Sequence, residues 1–198
     1  ALQLNNGNGT FSDISFMSNT AATDWSWSAL FADYDNDGWK DLFISNGYKR
    51  DLTNQDYARY AIDSLRKEFA AKQMSMLGWV EQIPSVKVKS YLFRNKGNLQ
   101  FSDVSETWNS GTPAFSNGAA YADLDNDGYL DIIVNNIDEP AFVLKNDGKS
   151  SRANNFIRFT LIGEKGKTTY GTRVRINTAD GQYQEQVYYP TRGFFSSV

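Results

Sequence analysis

The sequence of 198 residues contains no cysteine and no histidine. These two absences exclude disulfide bridges, zinc and haem sites of the ordinary kind, and catalysis by Ser-His-Asp or Cys-His groups. Any bound metal must therefore be held by oxygen ligands. The chain also lacks an apolar run near the roughly 20 residues that cross a bilayer, so the sequence predicts no transmembrane segment.

A concentrated basic surface is missing as well. The 20 Lys and Arg residues are balanced by 23 Asp and Glu residues, for a net charge of −3. Binding to nucleic acid relies on clustered positive charge, so we expect no nucleic-acid partner. Hydrophobic residues make up 40% of the chain and aromatic residues 15%, which is ample for the packed core of a globular protein.

The chain repeats itself at an offset of 90 residues, for example at Phe11-Ser12-Asp13 and Phe101-Ser102-Asp103. A third partial copy aligns residues 143–148 with residues 92–97, at an offset of 51. The natural period is therefore about 51 residues, and the first copy contains an insertion. Repeats of this length are typical of four-stranded blades.

Each repeat is predicted to contain four short strands arranged as two hairpins. The linkers inside a repeat are too short for the crossover helices of a parallel sheet. The fold class predicted is mainly β, a fragment of a β-propeller with a helical insertion and a C-terminal β-rich region. The apolar and β-branched runs predicted as strands are 29–32, 42–45, 91–94, 99–104, 119–122 and 132–135.

The insertion, residues 47–90, is predicted to be helical. Thr53 and Asp56 form a capping-box-like start, and apolar residues recur at every fourth position from Tyr57 to Phe69. Its polar face carries several basic side chains. Two interpretations stay open: a solvated helix face, or a binding site for an anionic partner.

The sequence begins with the predicted third strand of a blade, and the calcium loop of that blade is missing. We therefore expect the chain to be a fragment, with the remaining blades in other parts of the parent protein. These features divide the chain into four parts. The parts are the end of one blade and the first hairpin of the next (1–46), the insertion (47–90), the rest of that blade with the following one (91–146), and the C-terminal region (147–198).

Two acidic loops carry the chemistry, loop 1 (residues 33–41) and loop 2 (residues 123–131). Both follow the pattern D-x-D-N-D-G-x-x-D, in which four carboxylates repel one another unless a cation lies among them. Carboxylates at positions 1, 3, 5 and 9 and a carbonyl at position 7 suit Ca²⁺ better than Mg²⁺. Two calcium sites are predicted, with the ligands Asp33, Asp35, Asp37, Trp39 and Asp41 in loop 1 and Asp123, Asp125, Asp127, Tyr129 and Asp131 in loop 2.

An EF-hand is excluded because position 12 of the loops is Ile44 or Val134 where that motif has Glu. With their flanking strands, the loops instead resemble the FG-GAP or VCBS repeats of integrin-α-like β-propellers. This resemblance implies that the Asp-rich loop between the first two strands of each blade binds Ca²⁺.

The C-terminal region has a resemblance of its own. Its motifs, Phe156 to Leu161, Gly171 to Ile176 and Arg192-Gly193-Phe194, are similar to the ASPIC/UnbV domain. That domain follows such repeats in cartilage acidic protein relatives and in large bacterial surface proteins. The insertion resembles one seen in Bacteroidetes members of this group.

The sequence favours a calcium-binding, non-catalytic propeller segment of a cell-surface or secreted protein. A bacterial outer-membrane surface or the periplasm would suit it, and the expected partner is a protein or a glycan. No catalytic residue is predicted. Two alternatives stay open: a surface carbohydrate-active enzyme (lyase or hydrolase) using Tyr with Lys or Arg, and a purely structural spacer. Trp25 and Trp27 either stack on a sugar or pack between blades.

Overall fold

The structure is a computed structural model of residues 1–198. It describes all of them except 52–54, 57–58, 60–62, 64–65, 68–69, 72–75, 109, 149–153, 180, 182, 194–195 and 198.

A four-stranded antiparallel sheet is the most complete unit of the fold. It consists of β3 (Ser26–Ala32), β4 (Asp41–Asn46), β5 (Tyr91–Asn95) and β6 (Phe101–Asp103), hydrogen-bonded in that order. The central strand β4 is buried along its whole length. This connectivity is the one expected for a propeller blade.

A second sheet repeats the first three strands of this pattern. It consists of β7 (Ser116–Ala122), β8 (Asp131–Asn136) and β9 (Phe142–Leu144), again in sequential order. Its register reproduces that of the first sheet, because Ala119 pairs with Val134 as Ala29 pairs with Ile44. In the first strand of each sheet the pairing register also shifts just before that pair, between Ser26 and Ala29 in β3 and between Ser116 and Ala119 in β7. The repeat seen in the sequence is therefore a repeat of backbone geometry.

Three two-stranded sheets flank these units. β1 (Gln3–Asn5) pairs with β2 (Phe11–Asp13) near the beginning of the chain. In the C-terminal region, β10 (Arg173–Asn177) pairs with β11 (Tyr183–Val187), and β12 (Thr191–Gly193) pairs with β13 (Ser196–Ser197). Every paired strand in the described residues is antiparallel, in agreement with the prediction from linker length.

The insertion between β4 and β5 is described only in part. One helix, α1 (Met76–Glu81), lies near its end. The two ends of the insertion are held together, because Asp51 N–H donates to the Pro84 carbonyl (2.8 Å) and Arg50 Nη1 donates to the Ile83 carbonyl (2.9 Å). The predicted capping residue Thr53 and the apolar positions from Tyr57 to Phe69 lie outside the described residues, so the helical insertion stays a prediction. The described helical segments include none long and apolar enough to cross a membrane.

The largest hydrophobic cluster lies between the two blades. Leu30 and Phe43 of the first blade are fully buried, and Val134 and Ile132 of the second are nearly so. The Tyr34 ring, also buried, meets the ring of Tyr121 edge-on at 6.2 Å. Burial of this shared surface stabilises both sheets together, and it places the loops of neighbouring blades side by side.

Hydrogen bonds also join the blades at the other end of these strands. Ser45 Oγ donates to the Asn117 carbonyl, and Val88 forms an isolated bridge with Ala114. Gly47 packs so closely here that a Cβ would lie 2.4 Å from the Ser116 nitrogen. A mainly β chain built from propeller-type sheets, as predicted, is confirmed.

Candidate metal centre

Each acidic loop connects the first two strands of a blade, and the two loops have the same backbone conformation. Asn36 and Asn126, at position 4, have φ values of 55° and 63°. Gly38 and Gly128, at position 6, have φ values of 94° and 93°. Asparagine and glycine are the residues that tolerate this left-handed region best, which is why the sequence folds into so tight a turn here.

The turn brings three carboxylates together in each loop. Asp33, Asp35 and Asp37 each offer one oxygen, and these oxygens lie within 4.8 Å of one another. Asp123, Asp125 and Asp127 form the same grouping in loop 2. Positions 1, 3 and 5 of both predicted sites are therefore adjacent in space. Three hard oxygen donors close together match the ligands that Ca²⁺ prefers.

The carboxylate at position 1 also shapes its own loop. Asp33 accepts hydrogen bonds from the backbone N–H groups of Asp37 (3.0 Å) and Gly38 (2.8 Å). Asp123 accepts the equivalent bonds from Asp127 (3.1 Å) and Gly128 (3.2 Å). Each oxygen of Asp33 accepts one of these bonds and keeps a second lone pair that a cation could bind.

The carboxylates at position 9 lie outside the triads. Asp41 accepts hydrogen bonds from Tyr34 N–H (3.1 Å) and from Asn95 N–H (2.8 Å), which belongs to the third strand of the blade. Asp131 accepts the matching bonds from Leu124 (3.0 Å) and Asn146 (2.8 Å). In the structure these buried side chains tie the loop to the blade. Their role as metal ligands stays a prediction, as does that of the Trp39 and Tyr129 carbonyls.

Asp35 is the strongest indication that loop 1 is built for a cation. Its side chain is 2% exposed, and neither of its oxygens accepts a hydrogen bond from the described residues. Arg94 Nε lies 2.6 Å from Asp35 Oδ2, and this ion pair compensates part of the charge of Asp35. One ion pair with a half-exposed arginine is little compensation for a carboxylate this buried, and a metal ion would supply further partners for its oxygens.

The charge state of loop 1 reflects the same cost. Burial, with smaller contributions from the neighbouring Asp37 and Asp35 charges, raises the pKa of Asp33 to about 6. Burial likewise raises the pKa of Asp41 to about 7, with Asp35 and Asp37 adding to the effect. Burial also raises the pKa of Asp35 itself, although Arg94 opposes the shift. Without a cation, the loop resists carrying its full negative charge.

Loop 2 differs because it is more exposed and because two of its carboxylates pair with two separate basic side chains. Lys145 Nζ lies 2.7 Å from Asp125 Oδ2, and this contact holds the pKa of Asp125 below its ordinary value. Arg158 Nη2 donates to Asp123 Oδ2. The two loops thus share a backbone but not an electrostatic environment.

The basic residues at the ends of the third strands were not predicted to lie beside the acidic loops, although a signal was present in the sequence. Arg94 and Lys145 occupy equivalent places in the repeat of offset 51, next to Asn95 and Asn146. Their position beside the acidic loops follows from the antiparallel pairing of the second and third strands. Arg158 lies outside the repeat, and nothing in the sequence pairs it with loop 2.

Trp25 and Trp27 lie away from the loops. The Trp25 ring is 5.3 Å from the Tyr48 ring, and Trp27 Nε1 donates to the Gly47 carbonyl. Both residues therefore contact the beginning of the insertion rather than the candidate metal centre.

With this geometry established, the comparison with protein families becomes informative. Residues 1–44 and 85–134 match the FG-GAP-like repeat model. These matched residues are similar to FG-GAP-like repeats. Both acidic triads fall inside the matched residues, and the match omits residues 45–84, which include most of the insertion. No curated protein matches the chain.

Proposed function

We propose that this chain is a calcium-binding, non-catalytic segment of a β-propeller in a cell-surface or secreted protein. In this account one Ca²⁺ ion binds to each acidic loop and stabilises the blade. The observation that carries the proposal is Asp35, a buried carboxylate without hydrogen bonds inside a triad of carboxylates. The duplication of the triad in a second FG-GAP-like repeat supports it.

Calcium suits the donor set better than other common metals. All ligand candidates are oxygens, and three carboxylates that can each bind through one or both oxygens offer up to six of them in each loop. Mg²⁺ demands a small, regular octahedron and retains its waters, and transition metals prefer nitrogen or sulfur. Sites of modest affinity fill where calcium is abundant, which supports an extracellular location.

The proposed role is binding or assembly at the cell surface, with a protein or glycan as partner. The FG-GAP-like repeats and the absence of histidine and cysteine support a binding module over an enzyme. The C-terminal region is proposed to be an ASPIC/UnbV-like domain on the strength of its sequence resemblance.

Calcium titration by calorimetry tests the metal assignment. The metal-stripped chain should bind two equivalents, and the variants Asp35→Asn and Asp125→Asn should each lose one. Asp138→Asn is the matched control, because Asp138 pairs with Lys49 away from both loops. Loss of binding in the control as well, or unchanged binding in both loop variants, would contradict the assignment.

The non-catalytic role needs a separate test. Incubation with a panel of neutral and acidic polysaccharides should give saturable binding to at least one of them and no shorter or unsaturated product. Turnover that depends on a Tyr, Lys or Arg residue would instead identify an enzyme.

A further inference from the structure

A short C-terminal segment lies against both acidic loops. This segment, which we call the arm (residues 154–158), passes from loop 1 to loop 2 before the hairpin of β10 and β11. Asn154 Nδ2 donates to the Asp35 carbonyl of loop 1 (3.0 Å). The arm therefore begins at the candidate metal centre, although it lies outside the FG-GAP-like repeats.

The arm contacts loop 2 through hydrogen bonds from a charged side chain and through the packing of an aromatic ring. Arg158 Nη1 donates to Asn126 Oδ1 (2.8 Å), and Nη2 donates to Asp123 Oδ2. The Phe156 ring lies on Gly128 so closely that a Cβ there would be 2.0 Å from the ring. One arm side chain thus contacts the first carboxylate of the triad, and another packs on the glycine of the turn.

The guanidinium of Arg158 supplies positive charge to the loop 2 triad, as a bound metal ion would. It neutralises Asp123, while Lys145 neutralises Asp125 in the same triad. A divalent cation bound by these carboxylates would lie close to the guanidinium, and like charges at such short range repel each other. In loop 1 the basic partner of the triad is Arg94 of β5, and the described arm residue there, Asn154, is neutral and bonds to a backbone oxygen.

The arm is held weakly enough to be displaced. Phe156 is 49% exposed and Ile157 is 64% exposed, so the segment buries little apolar surface. The arm also borders a groove of about 1180 Å³, which residues of both loops and of the β10–β11 hairpin line as well. Segments with few buried contacts open at low free-energy cost.

We propose that Arg158 is a tethered competitor of the divalent cation at loop 2, so that cation binding there releases the arm. The inference rests on the proposed function. The coupling is reciprocal: the docked arm lowers the calcium affinity of loop 2, and calcium lowers the affinity of loop 2 for the arm. Loop 1 remains a structural site, whereas loop 2 reports the calcium concentration to the C-terminal region.

Calcium titration of the full chain with loop 1 disabled by Asp35→Asn isolates loop 2. In that background Arg158→Gln should tighten calcium binding about tenfold, or about 1.4 kcal/mol. Arg173→Gln is the matched control, because Arg173 carries the same charge in the same region and contacts Glu185 instead. Equal shifts in the two variants would reduce the effect to net charge and overturn the proposal.

Amide hydrogen exchange gives a second, independent measurement, because it reports whether the arm leaves loop 2 when calcium binds. Saturating calcium should slow amide exchange in residues 123–131 and accelerate it in residues 154–158. Asn126→Gly, which keeps the left-handed backbone and removes one Arg158 contact, should shift both measurements in the direction of Arg158→Gln, by less. Slower exchange in both segments would show that calcium fastens the arm, and would overturn the proposal.

The two hypotheses fail differently. If neither loop binds calcium in any variant, the proposed function is wrong and the inference falls with it. If loop 2 binds calcium with the same affinity in Arg158→Gln and in the Arg173→Gln control, the proposed function stands and the inference alone is wrong.

Discussion

Arg94 Nε lies 2.6 Å from Asp35 Oδ2, and this contact joins the third strand of the first blade to loop 1. A second nitrogen of the same guanidinium donates to Asp37 Oδ2 (3.2 Å). Arg94 is half-exposed, whereas Asp35 is almost completely buried. The arginine therefore compensates part of the negative charge in loop 1 and leaves the Asp35 oxygens without hydrogen bonds.

Replacing this arginine should expose the dependence of loop 1 on positive charge. In the presence of EDTA, Arg94→Gln should lower the free energy of unfolding by about 1–2 kcal/mol, because it leaves a buried carboxylate uncompensated. Saturating calcium should remove most of this difference. Urea unfolding under both conditions measures it, and Lys49→Gln, which breaks an exposed ion pair with Asp138, is the control. A loss of stability that calcium does not restore would contradict the account.

The pH dependence of stability follows from the raised pKa values in loop 1. Asp33 and Asp41 have pKa values of about 6 and about 7, above their value of 3.8 in model compounds. Between these limits the folded chain binds more protons than the unfolded chain, so stability decreases as the pH rises. In EDTA, the stability contributed by these groups should be present near pH 4 and lost by about pH 7.

Thermal unfolding at a series of pH values measures this effect. Calcium should flatten the dependence, because it stabilises the charged carboxylates, and Asp41→Asn should remove much of it in EDTA. Stability that rises steadily from pH 4 to pH 7 in EDTA would show that the loop 1 carboxylates are not destabilised by their burial.

Gly47 should be essential for the junction between the blades. In Gly47→Ala the new Cβ would lie 2.4 Å from the Ser116 nitrogen and 2.7 Å from the Phe115 Cα, both rigid backbone atoms. We expect a loss of about 2–3 kcal/mol, at the upper end for overpacking. Gly166→Ala is the control, because a Cβ there meets nothing within 4 Å and only the positive φ costs energy. Equal losses in chemical denaturation would mean that the blades are not packed as described.

Much of the fold could be predicted because the repeat is visible in the sequence. Apolar and β-branched runs place β3 and β4 on either side of loop 1, and the offset of 90 residues transfers the assignment to β7 and β8. The spacing of the aspartates likewise predicts the two triads, since one tight turn brings the carboxylates at its positions 1, 3 and 5 close together.

The electrostatic differences between the loops could not be predicted in this way. Asp35 is buried and Asp125 is exposed, although both occupy position 3 of the same pattern. The difference arises from tertiary packing, because loop 1 lies against the next blade, where Asn146 Nδ2 donates to the Tyr34 carbonyl (2.6 Å). Arg158 likewise reaches loop 2 through a contact 35 residues distant in sequence, which no local pattern encodes.

A crystal structure of the chain grown with calcium tests the central claim most directly. Anomalous scattering should reveal one ion in each loop, about 2.3–2.6 Å from an oxygen of Asp33, Asp35 and Asp37 in loop 1 and of the matching triad in loop 2. The Asp35 oxygens, which accept no hydrogen bond from the described residues, should both face or contact the ion in loop 1. Ordered loops without an anomalous peak at either triad would contradict the account.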